Sequence, residues 1–179
     1  MSVSSGYGPL SVLLHWFTVL WFSIMWSAGI LIGQWRDAPD LVYDLHVTVG
    51  VFGAAIIVWR IVNRIGRGFA PANPAHAGWE RMLARGVQWV FLLALSTSII
   101  TGLLKAFMGN GSQYFLWGSE LPRLGRLGDL GAAVDVVHAS GSMVLFTALI
   151  LHVAGALKHS LLQRDGTLMR ILKPTKPGK

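Results

Sequence analysis

Four histidines, His15, His46, His138 and His152, sit inside or at the rims of long apolar stretches of the chain. An imidazole in a bilayer is costly, so such residues face the protein interior and mark function by default. Their spacing sharpens the point. His138 and His152 are fourteen residues apart in one apolar run, nearly four whole helical turns, so both rings leave the same helix face ~21 Å apart along the axis. That is most of the way across a bilayer core of about 30 Å. One helix therefore offers a metal-ligating nitrogen near each membrane surface.

The elements that must position these rings are legible in the hydropathy. Of 179 residues, 53% are hydrophobic and 13% charged, and the mean hydropathy is +0.55, the balance of a small integral membrane protein with little extramembrane mass. Four stretches, 10–32, 46–62, 86–108 and 134–157, each supply about the twenty apolar residues a membrane helix needs. The expectation is an all-α, integral membrane four-helix bundle, a single membrane domain over residues 1–179. The first span holds His15 early in its run and shows no small-residue cleavage site after it, so it reads as a retained helix. Pro39 and acids mark the first connection, and Pro71 and Pro74 break the second. The third, 109–132, is rich in glycine, with room for short surface helices and with Tyr114, Phe115 and Trp117 expected at the membrane interface.

The net charge of +7 is unevenly placed. Arg60, Arg64, Arg67, Arg81 and Arg85 flank the middle connection, and Lys158, Arg164, Arg170, Lys173, Lys176 and Lys179 lie in the tail, against only Glu80 and Asp165. The other two connections hold Arg36, Lys105, Arg123 and Arg126 against Asp37, Asp40, Asp44, Glu120, Asp129 and Asp135. The positive-inside rule then puts both termini and the middle loop in the cytoplasm. Basic residues beside spans find anionic lipid as their partner more simply than nucleic acid.

Alternating spans fix which histidines can meet. His15 and His152 fall at the inner level, His46 and His138 at the outer. Two imidazoles from two helices at each level are what two b-type haems require, each porphyrin iron being completed by two axial nitrogens. Gly50 and Gly53 after His46, Gly141 after His138 and Gly155 after His152 would leave room for a flat macrocycle, although small residues also serve ordinary helix packing. Membrane histidines can instead form interhelical hydrogen bonds or a proton relay. A structural zinc would gather its four ligands around one point, whereas these fall into two groups. The absence of cysteine excludes thiolate-held iron–sulfur clusters, covalently attached c-type haem and a thiolate haem ligand.

Two histidines remain. His76 lies between prolines and reads as a solvated residue. His159 stands two turns below His152, either as an interfacial imidazole facing headgroups or as a hydrogen-bond and proton partner for a quinone beside the inner haem, since quinone reduction takes up protons and imidazole titrates near neutrality.

The pattern resembles the bacterial cytochrome b561 family of di-haem membrane cytochromes b, in its superoxide oxidase type. The resemblance covers nearly the whole chain. It rests on His15-Trp16 heading the first span, His46 after the acidic connection, the WRIVNR segment with Arg60 and Arg64, Gly102, the series His138, His152 and His159, and the tail RDGTLMRILKP. It implies a four-helix bundle in the bacterial inner membrane with two non-covalent b haems, ligated by His15 with His152 and by His46 with His138. It also implies ubiquinone as electron acceptor and superoxide as donor at the periplasmic face. Arg60 is open between a haem propionate partner and a positive-inside residue, and Arg64 reads as the latter.

On this reading the protein is a superoxide:ubiquinone oxidoreductase, with Arg36, Lys105, Arg123 and Arg126 as the cations able to attract superoxide. The alternative is an electron conduit between the quinone pool and a periplasmic redox protein, for which an acidic outer rim suits a basic partner. A haem-free histidine proton relay or transporter is a third class, and it would be colourless.

Overall fold

The computed structural model describes residues 8–35, 37–69 and 76–173, without the side chain of Arg67. Arg36, Pro71, Pro74, Lys176 and Lys179 lie outside the described residues, as does the last residue of the tail motif, Pro174. The described residues are about 77% helical. Its helices are α1 (Pro9–Gln34), α2 (Asp40–Arg67), α3 (Gly78–Met108) and α4 (Leu130–Leu157), which continues as one π-helical turn over Lys158–Leu162 before a short α5 (Met169–Leu172). Each long helix outruns its apolar stretch, α3 by eight residues at its start. Backbone hydrogen bonding does not stop where side chains turn polar, so the helices extend into the aqueous margin.

Local signals set the boundaries. Pro9 occupies the first turn of α1, where a missing N–H costs nothing. Pro39 precedes α2, and Gly68 with φ +69° stops it. At the start of α3 the Glu80 carboxylate accepts the Ala77 N–H at 3.0 Å, satisfying an otherwise free donor.

The four helices run up and down, α1 packing on α2, α2 on α3 and α3 on α4. The start of α1, the end of α2, the start of α3 and the described part of the tail lie at one end, called here the tail end; the other is the far end. All four helices are long and apolar enough to cross a membrane, and between 6% and 22% of their most hydrophobic windows is buried within the protein. Most of the apolar surface therefore points outward, as a lipid-facing bundle requires.

The small core is made of Trp21, Ala54, Ile57 and Ile99. Trp21 donates its indole N–H to the Val49 carbonyl at 2.9 Å, and its ring lies so close to Gly53 that a Cβ there would collide with the indole nitrogen. On the other side Trp26 stacks on Phe146 at 4.1 Å, so large rings span the distance from α1 to α4. The α3–α4 connection forms no helix. Gly111, Gly118 and Gly128 adopt positive φ, and it folds back instead, Tyr114 bridging Glu120 and Phe115 stacking on Trp117 beside Phe52 of α2.

Gly53→Ala is expected to lower thermal stability in detergent by about 1–3 kcal/mol, the usual range for overpacking. The loss should shrink when Trp21→Phe is combined with it, which a double-mutant cycle would read. Additive effects would mean that the indole does not occupy the space left by Gly53.

Candidate functional site

At the far end, α2 and α4 present His46 and His138 with ring centroids 6.2 Å apart and planes at 79°. The Thr101 hydroxyl donates to the Thr97 carbonyl at 2.7 Å, so its oxygen accepts from Nδ1–H of His138 at 3.0 Å, leaving Nε2 as the unprotonated ligating nitrogen. His46 Nδ1 is buried without a hydrogen-bond partner. Two helices give these rings room by lacking side chains. A Cβ on Gly102 would lie 3.1 Å from His138 Cε1, and one on Gly29 would lie 3.4 Å from His46 Cε1. Both histidines line a cavity of about 550 Å³, whose charged lining residues are Lys105 and Asp135, paired at 2.9 Å. That volume is in the range of cofactor sites.

At the tail end, α1 and α4 present His15 and His152, centroids 6.3 Å apart at 49°. Phe91 stands edge-on to His152 at 5.6 Å. Arg60 of α2, half-buried, turns onto α1, donating to the Leu14 carbonyl at 2.5 Å and to the Thr18 hydroxyl. Arg64 bonds the Gly68 carbonyl at 3.2 Å and lies over Phe69, the posture of an interfacial residue.

These separations have a chemical meaning. A metal lies ~2.0 Å from an imidazole nitrogen, and the nitrogen lies ~1.2 Å from its ring centroid, so two rings on one metal stand ~6.4 Å apart. Both pairs match that gap, and neither pair is close enough to hydrogen-bond ring to ring. An orphaned nitrogen, paired rings at metal-sandwich distance and glycines beside the far-end imidazoles fit a haem clasped between helices.

The described polar groups at the tail end form a second cluster. His76 is not solvated: its ring stacks on His159 at 3.9 Å, and its Nε2 lies 2.6 Å from Asp165 Oδ2 with 12% of the side chain exposed. His76, just before α3, thus lies against the end of α4, which composition could not reveal. His159 faces this cluster, its Nδ1 2.5 Å from Gln163 Oε1. Gln163 and Lys158 both bond Glu80 Oε1. The π turn makes this possible, because its wider winding brings the Gln163 N–H to the Lys158 carbonyl and turns the residues after it back under the helix. Burial alone would raise the Asp165 carboxyl, but hydrogen bonds from His76 and from Thr167, with the charge of His159, hold it down at about 2.

Several contributors escaped the sequence reading. Of the four expected glycines, Gly53 is filled by Trp21, Gly50 abuts Met25 and Gly141 abuts Ser98, while Gly155 has open space beside it. Gly29 and Gly102, on other helices, are the ones facing imidazoles. Gly102 was singled out only within the family resemblance, and Gly29 and Thr101 not at all, since a glycine or threonine in an apolar run has no distinctive pattern. Trp16 carries a structural reason for the HW pair: its indole N–H donates to the Ile171 carbonyl at 3.2 Å, tying the tail to α1.

Such a bundle, with a histidine pair toward each end of four apolar helices, has the architecture of a membrane cytochrome b. Residues 6–174 match the family of prokaryotic cytochrome b561, and the chain belongs to it. It is 26% identical over 177 residues to Cytochrome b561 homolog 2 of Escherichia coli (strain K12), covering 93% of this chain and 90% of that one. It is 21% identical over 170 residues to Cytochrome b561 homolog 1 of the same organism, with 93% and 96% covered. A Yersinia pestis protein named Probable superoxide oxidase CybB is 25% identical over 174 residues, with 96% and 98% covered. Family membership makes this a multi-pass membrane electron-transfer protein of the b-haem class.

The Asp165 carboxyl yields a pH prediction. Its folded-state value lies below the ordinary carboxylate value of about 4, so the stability it contributes is complete above that pH and lost as pH falls toward about 2. Between those limits the melting temperature of the protein should fall more steeply than that of Asp165→Asn. Parallel curves would show that the carboxylate is not held as described.

Proposed function

We propose that the protein is a superoxide:ubiquinone oxidoreductase of the bacterial inner membrane, with the tail end in the cytoplasm. His15 with His152 and His46 with His138 would be the axial ligands of two non-covalent b haems. The observation that carries the reading is the recurrence, near both bilayer surfaces, of an imidazole pair separated by the width of a metal. Bound there, haem iron supplies a one-electron carrier. The overall balance is two superoxide, one ubiquinone and two protons giving two dioxygen and one ubiquinol.

The chain's own residues divide the remaining work. If His15 with His152 and His46 with His138 hold the haems, both imidazoles of each pair would be taken up in binding, and a small anionic substrate would be held by the charge of the chain's own residues. Lys105 is the cation lining the far-end cavity, and Arg123 and Arg126 are exposed on the adjoining connection, so a small anion is drawn there despite the acidic surroundings. Thr101 orients His138 through Nδ1. Trp21 and Ile57 fill the space between the two levels and exclude water. Arg60, beside His15, is the cation available to a propionate at the tail end. His159, with Nδ1 engaged in the polar cluster, would offer its other nitrogen as hydrogen-bond and proton partner to ubiquinone. The tail-end basic residues, Arg64, Arg81, Arg85, Arg164 and Lys173 among them, supply the cytoplasmic bias and a surface for anionic lipid. The name of the Yersinia pestis relative supports superoxide as donor.

The acidic far end favours one alternative, an electron conduit that docks a basic periplasmic redox protein. Stopped-flow mixing separates the two. Superoxide should reduce the oxidised cytochrome faster than it dismutates, and failure to do so would leave the conduit.

Pairing by level predicts that His46→Ala or His138→Ala removes one b-type spectral component and His15→Ala or His152→Ala the other. Loss of the same component from His46→Ala and His15→Ala would refute the pairing.

His159→Ala should retain both spectral components and superoxide-driven reduction. Re-oxidation by a soluble ubiquinone analogue should slow at least about ten-fold, the low end for losing an acid–base group, and lose its pH dependence near neutrality. Unchanged re-oxidation would place the quinone elsewhere.

A further inference from the structure

The histidine pairs leave two imidazoles of the chain's six unused, and the fold stacks those two on each other. We propose that His76, His159 and Asp165 form a binding site for a divalent transition-metal ion of the zinc class at the tail end, distinct from the haem sites and sharing with the quinone reading only His159, of which the ion would take Nδ1.

The ligating atoms of the three residues all lie within 4.8 Å of one another. His76 Nε2 stands 2.6 Å and His159 Nδ1 3.4 Å from the same oxygen, Asp165 Oδ2. Ligands of a tetrahedral zinc at ~2.0–2.1 Å are ~3.3 Å apart, so an ion entering among them asks for shifts of an ångström or so. Two imidazoles and one carboxylate, with a further position open to water, are a recognised zinc set and suit nickel, cobalt and copper as well. Magnesium and calcium, which want oxygen ligands, are disfavoured.

The surroundings hold the ligands in place, and Gln163 Oε1 occupies one ligating atom, Nδ1 of His159. Asp165 Oδ1 accepts the Thr167 N–H at 2.9 Å, fixing the carboxylate with Oδ2 turned inward, the kind of support that orients metal ligands. The Asp165 N–H reaches the His159 carbonyl at 3.2 Å, through a turn in which Arg164 takes φ 51°. Arg81 fixes the His76 carbonyl at 2.9 Å. Lys158, the nearest lysine, is held away on Glu80 at 2.5 Å and over the Trp79 ring, so its charge does not sit among the three ligands. Gln163 Oε1 must yield to the ion or become its fourth ligand. The side chains are shielded, 12–15% exposed, yet lie at the aqueous margin where an ion can enter. An ion here would join three chain segments, up to 89 positions apart, and pin the tail against the start of α3.

The test uses the haem-loaded protein, in which the membrane histidines are committed, after equilibration with a chelator and its removal. Zinc is titrated calorimetrically, and metal is quantified after gel filtration. One zinc per chain is expected, together with a zinc-dependent rise in melting temperature. His76→Ala and Asp165→Asn should each weaken binding by about 100-fold, the upper end of what loss of even a supporting group costs, and abolish the rise. The Asp165→Asn variant preserves shape, and the haem absorption of both variants reports that they are folded. Absence of saturable one-to-one binding, undiminished affinity in either folded variant, or equal binding of magnesium would overturn the assignment.

Discussion

A ring nitrogen inside a bilayer has no water to turn to, and this constraint organises the molecule. Each buried imidazole must be oriented by a hydrogen bond or committed to a ligand, because an unpaired polar group in hydrocarbon costs several kcal/mol. His138 meets half of the demand through Thr101. His46 has a nitrogen without a partner. The rings of His46 and His138 and those of His15 and His152 stand 6.2 and 6.3 Å apart, with Gly29 and Gly102 beside the far-end imidazoles and the Trp26–Phe146 stack spanning α1 and α4.

The middle of the bundle shows how little apolar packing is left for that task. Ile57 is the large side chain that is fully buried, and the indole of Trp21 fills a notch created by Gly53. Since lipid is as apolar as leucine, helix association here draws on close packing and on hydrogen bonds rather than on water exclusion. The bond from Trp21 to the Val49 carbonyl and those from Arg60 to α1 are of this kind, polar ties placed where side-chain packing is thin.

The two ends are built differently. At the far end the glycine-rich connection folds over α2, the Leu116 N–H bonding Thr48, and leaves a cavity reaching both histidines and the Lys105–Asp135 pair. At the tail end the chain closes on itself: the π turn, the left-handed Arg164 and α5 bring the tail under α1 and α4, and a network of charged and polar groups replaces the cavity. The far end thus presents a cavity lined by the Lys105–Asp135 pair, and the tail end gathers imidazoles with a carboxylate.

Much of this was present in the order of residues. Apolar runs of spanning length determine four helices, because backbone groups in hydrocarbon must be satisfied within the segment, and helix alternation then sorts the membrane histidines into levels. That arithmetic needs only a rise per residue and a bilayer thickness. What the sequence left open depended on contacts between segments distant in the chain. His76 read as solvated, yet it is stacked beneath α4, because the path of a loop is settled by what it packs against. The glycines that face imidazoles, Gly29 and Gly102, lie on helices neighbouring those that carry the rings, while Gly53, itself one of the expected glycines, accommodates an indole. Which side chain fills the space beside a glycine is a property of helix rotation and approach, and these are fixed only when all four helices pack together.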